Sequence, residues 1–178
     1  MIEAKAQYAS VNGMKLSDWV LTGLDWLYAF AGGIPSVINV MLKTRWTRWI
    51  LDRLLGIAQG RKLPTFATGT FLRWAQRNKL NVASKQASRK VVFFVDAFAN
   101  WNDVELGIAF CNVLKHNNID VLVPPRQDVS GMSLISEGAI PRAKKIASRN
   151  VEMLADWVRQ GYQIVTTEPS AALAIKHE

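Results

Sequence analysis

The pattern of apolar and polar positions in the second half of the chain predicts alternating strands and helices. Three short apolar runs, Val91–Val95, Val121–Val123 and Ile164–Val165, each end at a polar turn, and segments with helical spacing lie between them. Short runs of β-branched or aromatic residues separated by helical patterns are typical of βαβ units on a parallel sheet. We therefore expect an α/β half-domain over residues 88–178, with at least three parallel strands.

The helices of this half-domain have recognisable ends. Asn102, followed three residues later by Glu105, has the pattern of a capping box, so the first helix is predicted to begin there. It is predicted to end at Asn117-Asn118, because asparagine tolerates the left-handed backbone of a helix C-terminus. A long helix is predicted from about Pro141, with Gly161 at its C-terminal end.

The first part of the chain, residues 1–80, is predicted to form a helical arm. Ser17 is expected to cap one helix, Pro35 to begin a second, and Thr68 or Thr70 to begin a short third. The second helix repeats apolar residues at Ile38, Leu42, Trp46, Trp49 and Leu54. Periodic apolar stripes usually face a core, so we expect the arm's tryptophans to be core residues.

One stretch of the arm, Trp19–Leu42, is about long enough to span a membrane. Asp25 lies inside it, and Gly32-Gly33-Ile34-Pro35 interrupts it. Because a charge in a bilayer core is costly, two amphipathic helices packed on the domain are the favoured interpretation. Attachment to a membrane surface is the intermediate alternative, since tryptophan-rich apolar faces beside Lys/Arg suit the bilayer interface.

The charge of the chain is concentrated in one segment. The net charge is +8, but residues 43–90 hold 12 Lys/Arg and a single acid, Asp52, so the remainder is slightly acidic. Trp46, Trp49 and Trp74 could serve as stacking platforms for nucleic acid on such a segment. Their helical spacing favours a structural role instead, so nucleic-acid binding is the weaker hypothesis.

No catalytic signature is present. The chain has no glycine-rich phosphate loop, and its two histidines, His116 and His177, have no partner in sequence. His116 is predicted to lie at a helix C-terminus, where the helix dipole favours a cation. Cys111 is the only cysteine, which rules out an internal disulfide and any multi-cysteine metal site, and its apolar neighbours predict a buried thiol.

Candidate site residues lie in the three turns after the strands. Ligands gather at the carboxyl ends of parallel strands, so these turns should meet. The possible pocket residues are Asp96, Asn100, Ser130 and Glu168. Asp96 is expected to cap the following turn, with ligand binding as the alternative.

The spacing of the three turns resembles that of a known family. The cysteine-rich CCG domain of iron–sulfur oxidoreductase subunits has a cysteine, then Cys-Cys-Gly, then Cys-x-x-Cys. On this chain Ala97 stands at the first position, Val129-Ser130-Gly131 at the second and Glu168–Ala171 at the third, with gaps of 31 and 36 residues. The family includes heterodisulfide reductase B-type subunits, anaerobic glycerol-3-phosphate dehydrogenase C subunits, and iron–sulfur partners of FAD-linked glycolate and D-lactate oxidases. The segment from Leu54 to Trp74 resembles the family's helical connector.

The resemblance implies a Rossmann-like half-domain whose cluster site has been lost. None of the five cysteine positions holds a cysteine, and thiolates are what hold iron–sulfur clusters. These vestigial positions are Ala97, Val129, Ser130, Glu168 and Ala171. We expect no metal and no cofactor in this chain. A 4Fe-4S cluster and FAD are expected only in adjoining modules or partner subunits, with a ferredoxin-like module before Met1 and a second half-domain after Glu178.

The resulting functional expectation is a non-catalytic fragment or subunit of an iron–sulfur and flavin-linked oxidoreductase. Its expected partners are a ferredoxin-like iron–sulfur module and an FAD-containing subunit or domain, with self-association and peripheral membrane contact as further expectations. The expected location is the cytoplasm, and attachment to the inner face of the cytoplasmic membrane is a further possibility. The alternatives are a docking or small-ligand module that uses the vestigial pocket, and a basic protein that binds a membrane surface or nucleic acid.

Overall fold

The computed structural model describes residues 4, 5, 7, 8, 11, 13, 20, 22, 23, 28, 33–83 and 89–177. The predicted cap Ser17, and most of the helix expected to follow it, lie outside these residues. Across 33–83 and 89–177 the elements, in chain order, are α1 (Pro35–Lys43), α2 (Arg45–Leu55), α3 (Phe71–Arg77), β1 (Lys90–Phe93), α4 (Ala97–Trp101), α5 (Val104–His116), β2 (Asp120–Leu122), α6 (Met132–Ser136), α7 (Ile140–Arg159), β3 (Gln163–Val165) and α8 (Pro169–His177).

The three strands form one parallel sheet in the order β2-β1-β3, so the predicted α/β class is confirmed. Val92 of the central strand pairs with Leu122 on one side and with Ile164 on the other. Beyond the ladder, the N–H of Phe94 still donates to the carbonyl of Val165, at 2.8 Å. The turns after all three strands therefore leave the sheet at the same edge.

Both faces of the sheet are covered, as the continuous apolar sequence of β1 requires. On one face Phe93 packs with Phe71 of α3 and Cys111 of α5. On the other face Phe94 packs with Leu154 of α7 and with Ala171 of α8. The α3 helix, which the sequence assigns to the arm, thus contributes to the core of the α/β half.

The second predicted arm helix is two helices in the structure. Thr44 ends α1 in an extended conformation, and its hydroxyl accepts a hydrogen bond from the N–H of Thr47 in the first turn of α2. This is ordinary N-capping by threonine. The apolar spacing continues across the break, so the pattern alone does not reveal it.

The prediction that Trp46 and Trp49 are core residues is wrong. They are 79% and 54% exposed, and neither α1 nor α2 has a buried residue. Periodicity identifies an apolar face but not whether anything covers it. Trp74, by contrast, packs against the core as expected.

The N-cap of α5 is Asp103, one residue later than predicted. Its carboxylate accepts from the N–H of Leu106 at 3.1 Å. Asn102 instead ends α4, and its amide donates to the carbonyl of Thr65 at 2.9 Å. The shift arises because α4, which the sequence does not predict, ends at Trp101 and takes Asn102 as its C-cap.

No helix within the described residues is long and apolar enough to cross a membrane. Within the part of Trp19–Leu42 that the structure describes, α1 begins at Pro35 as predicted, but none of its residues is buried, so the expected packing of this helix on the domain is not seen.

Candidate functional site

The three turns do meet, and they enclose a cavity of about 300 Å³ at the carboxyl edge of the sheet. Its walls include five of the residues singled out by the sequence: Asp96, Ala97, Val129, Ser130 and Glu168. The turns therefore form one cavity, and the contacts of these residues define its chemistry.

Two of the predicted residues lie elsewhere. Asn100 is buried, and its side-chain oxygen accepts from the N–H of Leu72 at 3.1 Å, which ties α4 to the start of α3. Ala171 is fully buried in the core beneath the sheet and does not line the cavity. A site built from strand ends thus includes only those turn residues whose side chains point away from the core.

Asp96 joins the first turn to the second. It is 5% exposed, and its Oδ1 accepts from the N–H of Ala97 at 2.9 Å and from the N–H of Ser130 at 3.0 Å. The expected capping role is confirmed, since Asp96 is the N-cap of α4. The second bond does not follow from the sequence, and it fixes the turn that holds Ser130.

Glu168 joins the third turn to the first. Its Oε1 accepts from the N–H of Ala99, in the first turn of α4, at 3.0 Å. Burial raises the pKa of the Glu168 carboxyl, and the nearby charge of Asp96 raises it further, whereas the bond from Ala99 opposes the shift. The carboxylate is therefore held in place by the backbone although its surroundings favour the neutral form.

Two amide side chains complete the connections between turns. The Gln127 oxygen accepts from the N–H of Val95 at 2.8 Å, and its nitrogen donates to the carbonyl of Pro124 at 3.0 Å. Asn150 of α7 reaches the second turn. It accepts from the N–H of Asp128 at 3.1 Å and donates to the carbonyl of Val129 at 3.0 Å.

Sequence reasoning missed both amides as site residues. Asn150 carried a usable signal, because it is a polar residue on the apolar stripe of a long helix, between Ala147 and Leu154. A buried amide of that kind must find hydrogen-bond partners. Gln127 carried no comparable signal.

Tyr28 of the arm also lines the cavity and was not predicted. Its ring stacks on Trp101 with centroids 5.4 Å apart and tilts against Phe66 at 5.5 Å. Burial raises the pKa of its phenol, and the negative charges of Glu168 and Asp96 raise it further. The phenol therefore stays protonated beside the two carboxylates.

The second turn is tight at Ser130-Gly131. Gly131 has a left-handed backbone, with φ of +76°, and it begins α6. The hydroxyl of Ser130 accepts from the N–H of Met132 at 3.4 Å. Glycine is the residue that adopts this conformation without strain, so the turn depends on it.

The side chains at the cavity are carboxylate, phenol, hydroxyl, thioether and apolar groups, and none is a thiol. Cys111 is fully buried on α5, on the face of the sheet that packs against α3, and burial raises the pKa of its thiol to about 11. The predicted buried thiol is confirmed. His116 lies in the last turn of α5, as predicted. Among the described residues no cluster of His, Cys, Asp and Glu could hold a metal ion.

The fold and the cavity define an α/β unit with a thiol-free pocket, lined by both apolar and polar side chains, at the carboxyl ends of its parallel strands. The chain is 29% identical, over 178 aligned positions and 98% of its length, to the C subunit of the anaerobic glycerol-3-phosphate dehydrogenase of Escherichia coli K12. The same figures hold for the C subunit of the enzyme from E. coli O157:H7. No protein-family model and no solved structure matches the chain.

The chain spans 44% of the length of these curated relatives. The similarity supports the predicted relation to anaerobic glycerol-3-phosphate dehydrogenase C subunits.

Proposed function

We propose that this chain is a cluster-free structural part of an electron-transfer complex related to anaerobic glycerol-3-phosphate dehydrogenase. In this proposal it positions redox modules that are carried by other polypeptide segments, and it passes no electrons through a centre of its own. The similarity to C subunits supports the complex. The residues around the cavity support the absence of a redox centre.

The observation that carries the proposal is the set of hydrogen bonds that joins the three turns. A cluster would connect such turns through thiolates. Here Asp96 connects the first turn to the second, and Glu168 connects the third to the first. Backbone N–H groups that could otherwise face an anionic cluster already donate to these two carboxylates.

The donor set at the cavity also argues against a cluster. Ala97 and Val129 offer no ligand atom, and the hydroxyl of Ser130 and the carboxylate of Glu168 are engaged in local hydrogen bonds. One serine and one glutamate do not replace five thiolates. Cys111 cannot contribute, because it is buried in a different part of the core.

The proposed partners follow from the predicted family. A ferredoxin-like iron–sulfur module and an FAD-containing subunit or domain would hold the redox groups, and the α/β half-domain would contribute a rigid docking body. The proposed location is the cytoplasm, with the complex at the inner face of the membrane.

Anaerobic reconstitution with iron and sulfide tests the cluster-free part of the proposal. We expect iron well below one atom per chain and no visible absorption band, both in the wild type and in Cys111→Ser. A brown product with stoichiometric iron that persists in Cys111→Ser would overturn the proposal.

Co-expression tests the structural part. We expect the chain to co-purify with an FAD-containing subunit of the same type of dehydrogenase. The purified complex should contain the flavin of that subunit, and this chain should contribute no iron to it. The matched reference is the same flavin subunit expressed without the chain. Failure to associate, with a folded chain verified by circular dichroism, would count against the docking role.

A further inference from the structure

The cavity at the carboxyl edge of the sheet has a property that the proposed function leaves unexplained, which is its unbalanced charge. Asp96 and Glu168 both line it, and the described residues of its wall include no Lys, Arg or His. The other polar groups of the described wall are the phenol of Tyr28 and the hydroxyls of Ser130, Ser133, Ser136 and Ser170. The two carboxylates therefore face a cavity whose described wall holds no positive charge to match them.

Asp96 lies at the inner end of the cavity. It is 5% exposed, whereas Phe98 and Ser170 of the same wall are exposed and lie at the rim. Its Oδ1 accepts from the N–H groups of Ala97 and Ser130, and no described residue donates to its other oxygen, Oδ2. A buried carboxylate oxygen without a donor is costly. Because Asp96 lines the cavity, Oδ2 is an acceptor that a ligand can satisfy.

Glu168 adds a second negative charge to the same space. Burial raises the pKa of its carboxyl and the charge of Asp96 raises it further, while only the backbone N–H groups of Ala99 and Phe98 oppose the shift. Two carboxylates that share a site repel each other, and a positive charge between them removes the repulsion. A bound cation would therefore stabilise the charged form of Glu168.

The chain does have one ammonium group beside the rim, but its charge is already matched. The Nζ of Lys5 donates to the carbonyl of Ser136 at 3.0 Å and forms an ion pair with the carboxylate of Glu137 at 2.6 Å. Lys5 is not among the described wall residues of the cavity. It therefore leaves the charges of Asp96 and Glu168 uncompensated.

We infer that the cavity binds a small organic molecule through a primary ammonium group, held by the carboxylates of Asp96 and Glu168. An ammonium group has three N–H donors and no acceptor, which suits a wall of carboxylate and hydroxyl oxygens. Tyr28 and Phe98 line the same cavity, and the faces of aromatic rings attract cations. A volume of about 300 Å³ is at the small end of the range for ligand pockets, so the ligand is a compact amine.

An organic cation fits this cavity better than an anion or a metal ion does. An anion would be repelled by both carboxylates and would find no cation in the described wall. A calcium or magnesium ion needs about six oxygen ligands. The described residues contain no group of three or more His, Cys, Asp and Glu side chains that could hold a metal ion. An ammonium group needs only its three acceptors.

The inference rests on the cluster-free part of the proposed function, because a cluster in this cavity would exclude another ligand. The two can nevertheless fail separately. Stoichiometric iron in the reconstituted chain would overturn the proposed function. An iron-free chain that binds no amine would overturn only the inference drawn here.

NMR titration of the full 178-residue chain tests the inference. The backbone amides of Ala99 and Ser130 donate to the two carboxylates, so their signals report on the cavity directly. The probe is ethanolamine, and ethylene glycol is its uncharged counterpart of nearly the same size. We expect saturable shifts of both signals with ethanolamine, with a dissociation constant in the millimolar range or below, and no saturable shift with ethylene glycol.

Two variants test the charge and the space separately. Glu168→Gln keeps an acceptor for the N–H of Ala99 but removes one negative charge, so it should weaken ethanolamine binding about tenfold or more. Ala97→Leu keeps both carboxylates and fills part of the cavity, so it should also weaken binding. Glu152→Gln makes the same change in net charge on the exposed surface of α7 and should bind as the wild type does. The amide spectrum of each variant verifies that it is folded.

Four results would overturn the inference. The first is no saturable shift with ethanolamine in the folded wild-type chain. The second is equal binding of ethylene glycol, which would mean that charge is not recognised. The third is undiminished binding in folded Glu168→Gln, or equal loss in Glu152→Gln. The fourth is binding of magnesium or calcium at the same amides with no binding of ethanolamine, which would make the cavity a metal site.

Discussion

At the scale of single residues, Glu168 has two opposing roles. Its carboxylate receives the N–H of Ala99 and so holds the third turn against the first. The same carboxylate is partly buried near Asp96, which disfavours its charge and raises its pKa. An acid with a raised pKa binds its proton more tightly in the folded state than in the unfolded state. The folded state is therefore favoured more at low pH than at neutral pH by this group.

Glu168→Gln should make the chain slightly more stable at pH 7. The glutamine oxygen can still accept from Ala99, and the cost of the charge is removed. We expect a gain of less than about 1 kcal/mol, because solvent screens a carboxylate that is only partly buried. The gain should shrink as pH falls through the raised pKa of Glu168 and be absent below 4.5, the ordinary value for glutamate. Urea unfolding between pH 4 and pH 7 measures it.

Two further variants complete this prediction. Glu168→Ala removes the acceptor and leaves the N–H of Ala99 without its partner, so it should destabilise the chain by about 1–3 kcal/mol. Glu152→Gln, on the exposed surface of α7, should leave the stability at pH 7 unchanged. A lower stability of Glu168→Gln than of wild type at pH 7 would contradict the argument.

At the scale of elements, the sequence predicts the strands, the two long helices and the short helix α3, whose N-cap is Thr70, and it misses the short helices that leave the three turns. The strand runs are apolar because both faces of the sheet are covered, and α5 and α7 are long enough to repeat their pattern. The helices that leave the three turns, α4, α6 and α8, have five, five and nine residues. Such lengths are too short for an apolar period to be distinguished from a loop.

The candidate site was predictable only in part for a similar reason. Strand ends on a parallel sheet meet, so Asp96, Ser130 and Glu168 could be grouped from sequence. Tyr28 reaches the same cavity from a distant segment, through stacking on Trp101. No local pattern encodes a contact of that range, because it depends on how the arm lies on the α/β half.

The contact between α3 and α5 depends on Gly107, the fourth residue of α5. A β-carbon at Gly107 would lie 2.6 Å from the ring of Phe71, which is fully buried. Glycine weakens a helix interior, and here the close approach of the two helices requires it.

Gly107→Ala should therefore destabilise the chain despite the better helix propensity of alanine. We expect a loss of about 1–3 kcal/mol, the usual cost of overpacking a core. Gly69→Ala is the matched control, since a β-carbon there would meet nothing within 4 Å and the backbone is not left-handed. Thermal denaturation followed by circular dichroism distinguishes the two variants, and a Gly107→Ala protein as stable as wild type would show that Phe71 moves aside at little cost.

At the scale of the whole molecule, apolar residues serve two different purposes. Those of the α/β half are buried on the two faces of the sheet, and α3 adds Phe71 and Ala75 to them. Those of α1 and α2 are largely exposed, and those of α2 lie in the basic segment. The arm's periodic stripe is thus a surface feature, whereas the core stripes are structural, although the two look alike in sequence.

The cavity, too, is held by the chain as a whole rather than by a bound group. Asp96, Glu168, Gln127 and Asn150 each connect segments that are far apart in sequence. If these side chains replace a cluster, folding should not depend on metal. A ligand that binds only the folded state raises its stability by mass action, and its removal lowers the melting temperature.

The melting temperature of the purified chain should therefore be the same with and without a strong iron chelator, and after incubation with iron and sulfide. Asn150→Ala should lower the melting temperature under every one of these conditions. The N–H of Asp128 and the carbonyl of Val129 both lose their partner in this variant. Each buried group left unpaired costs about 1–3 kcal/mol. Asn117→Ala is the control for the loss of an amide, since Asn117 is exposed at the end of α5. Differential scanning calorimetry measures all three proteins side by side. A fall in the melting temperature of wild type on chelation, or a rise with iron and sulfide, would mean that a metal group helps to hold the turns.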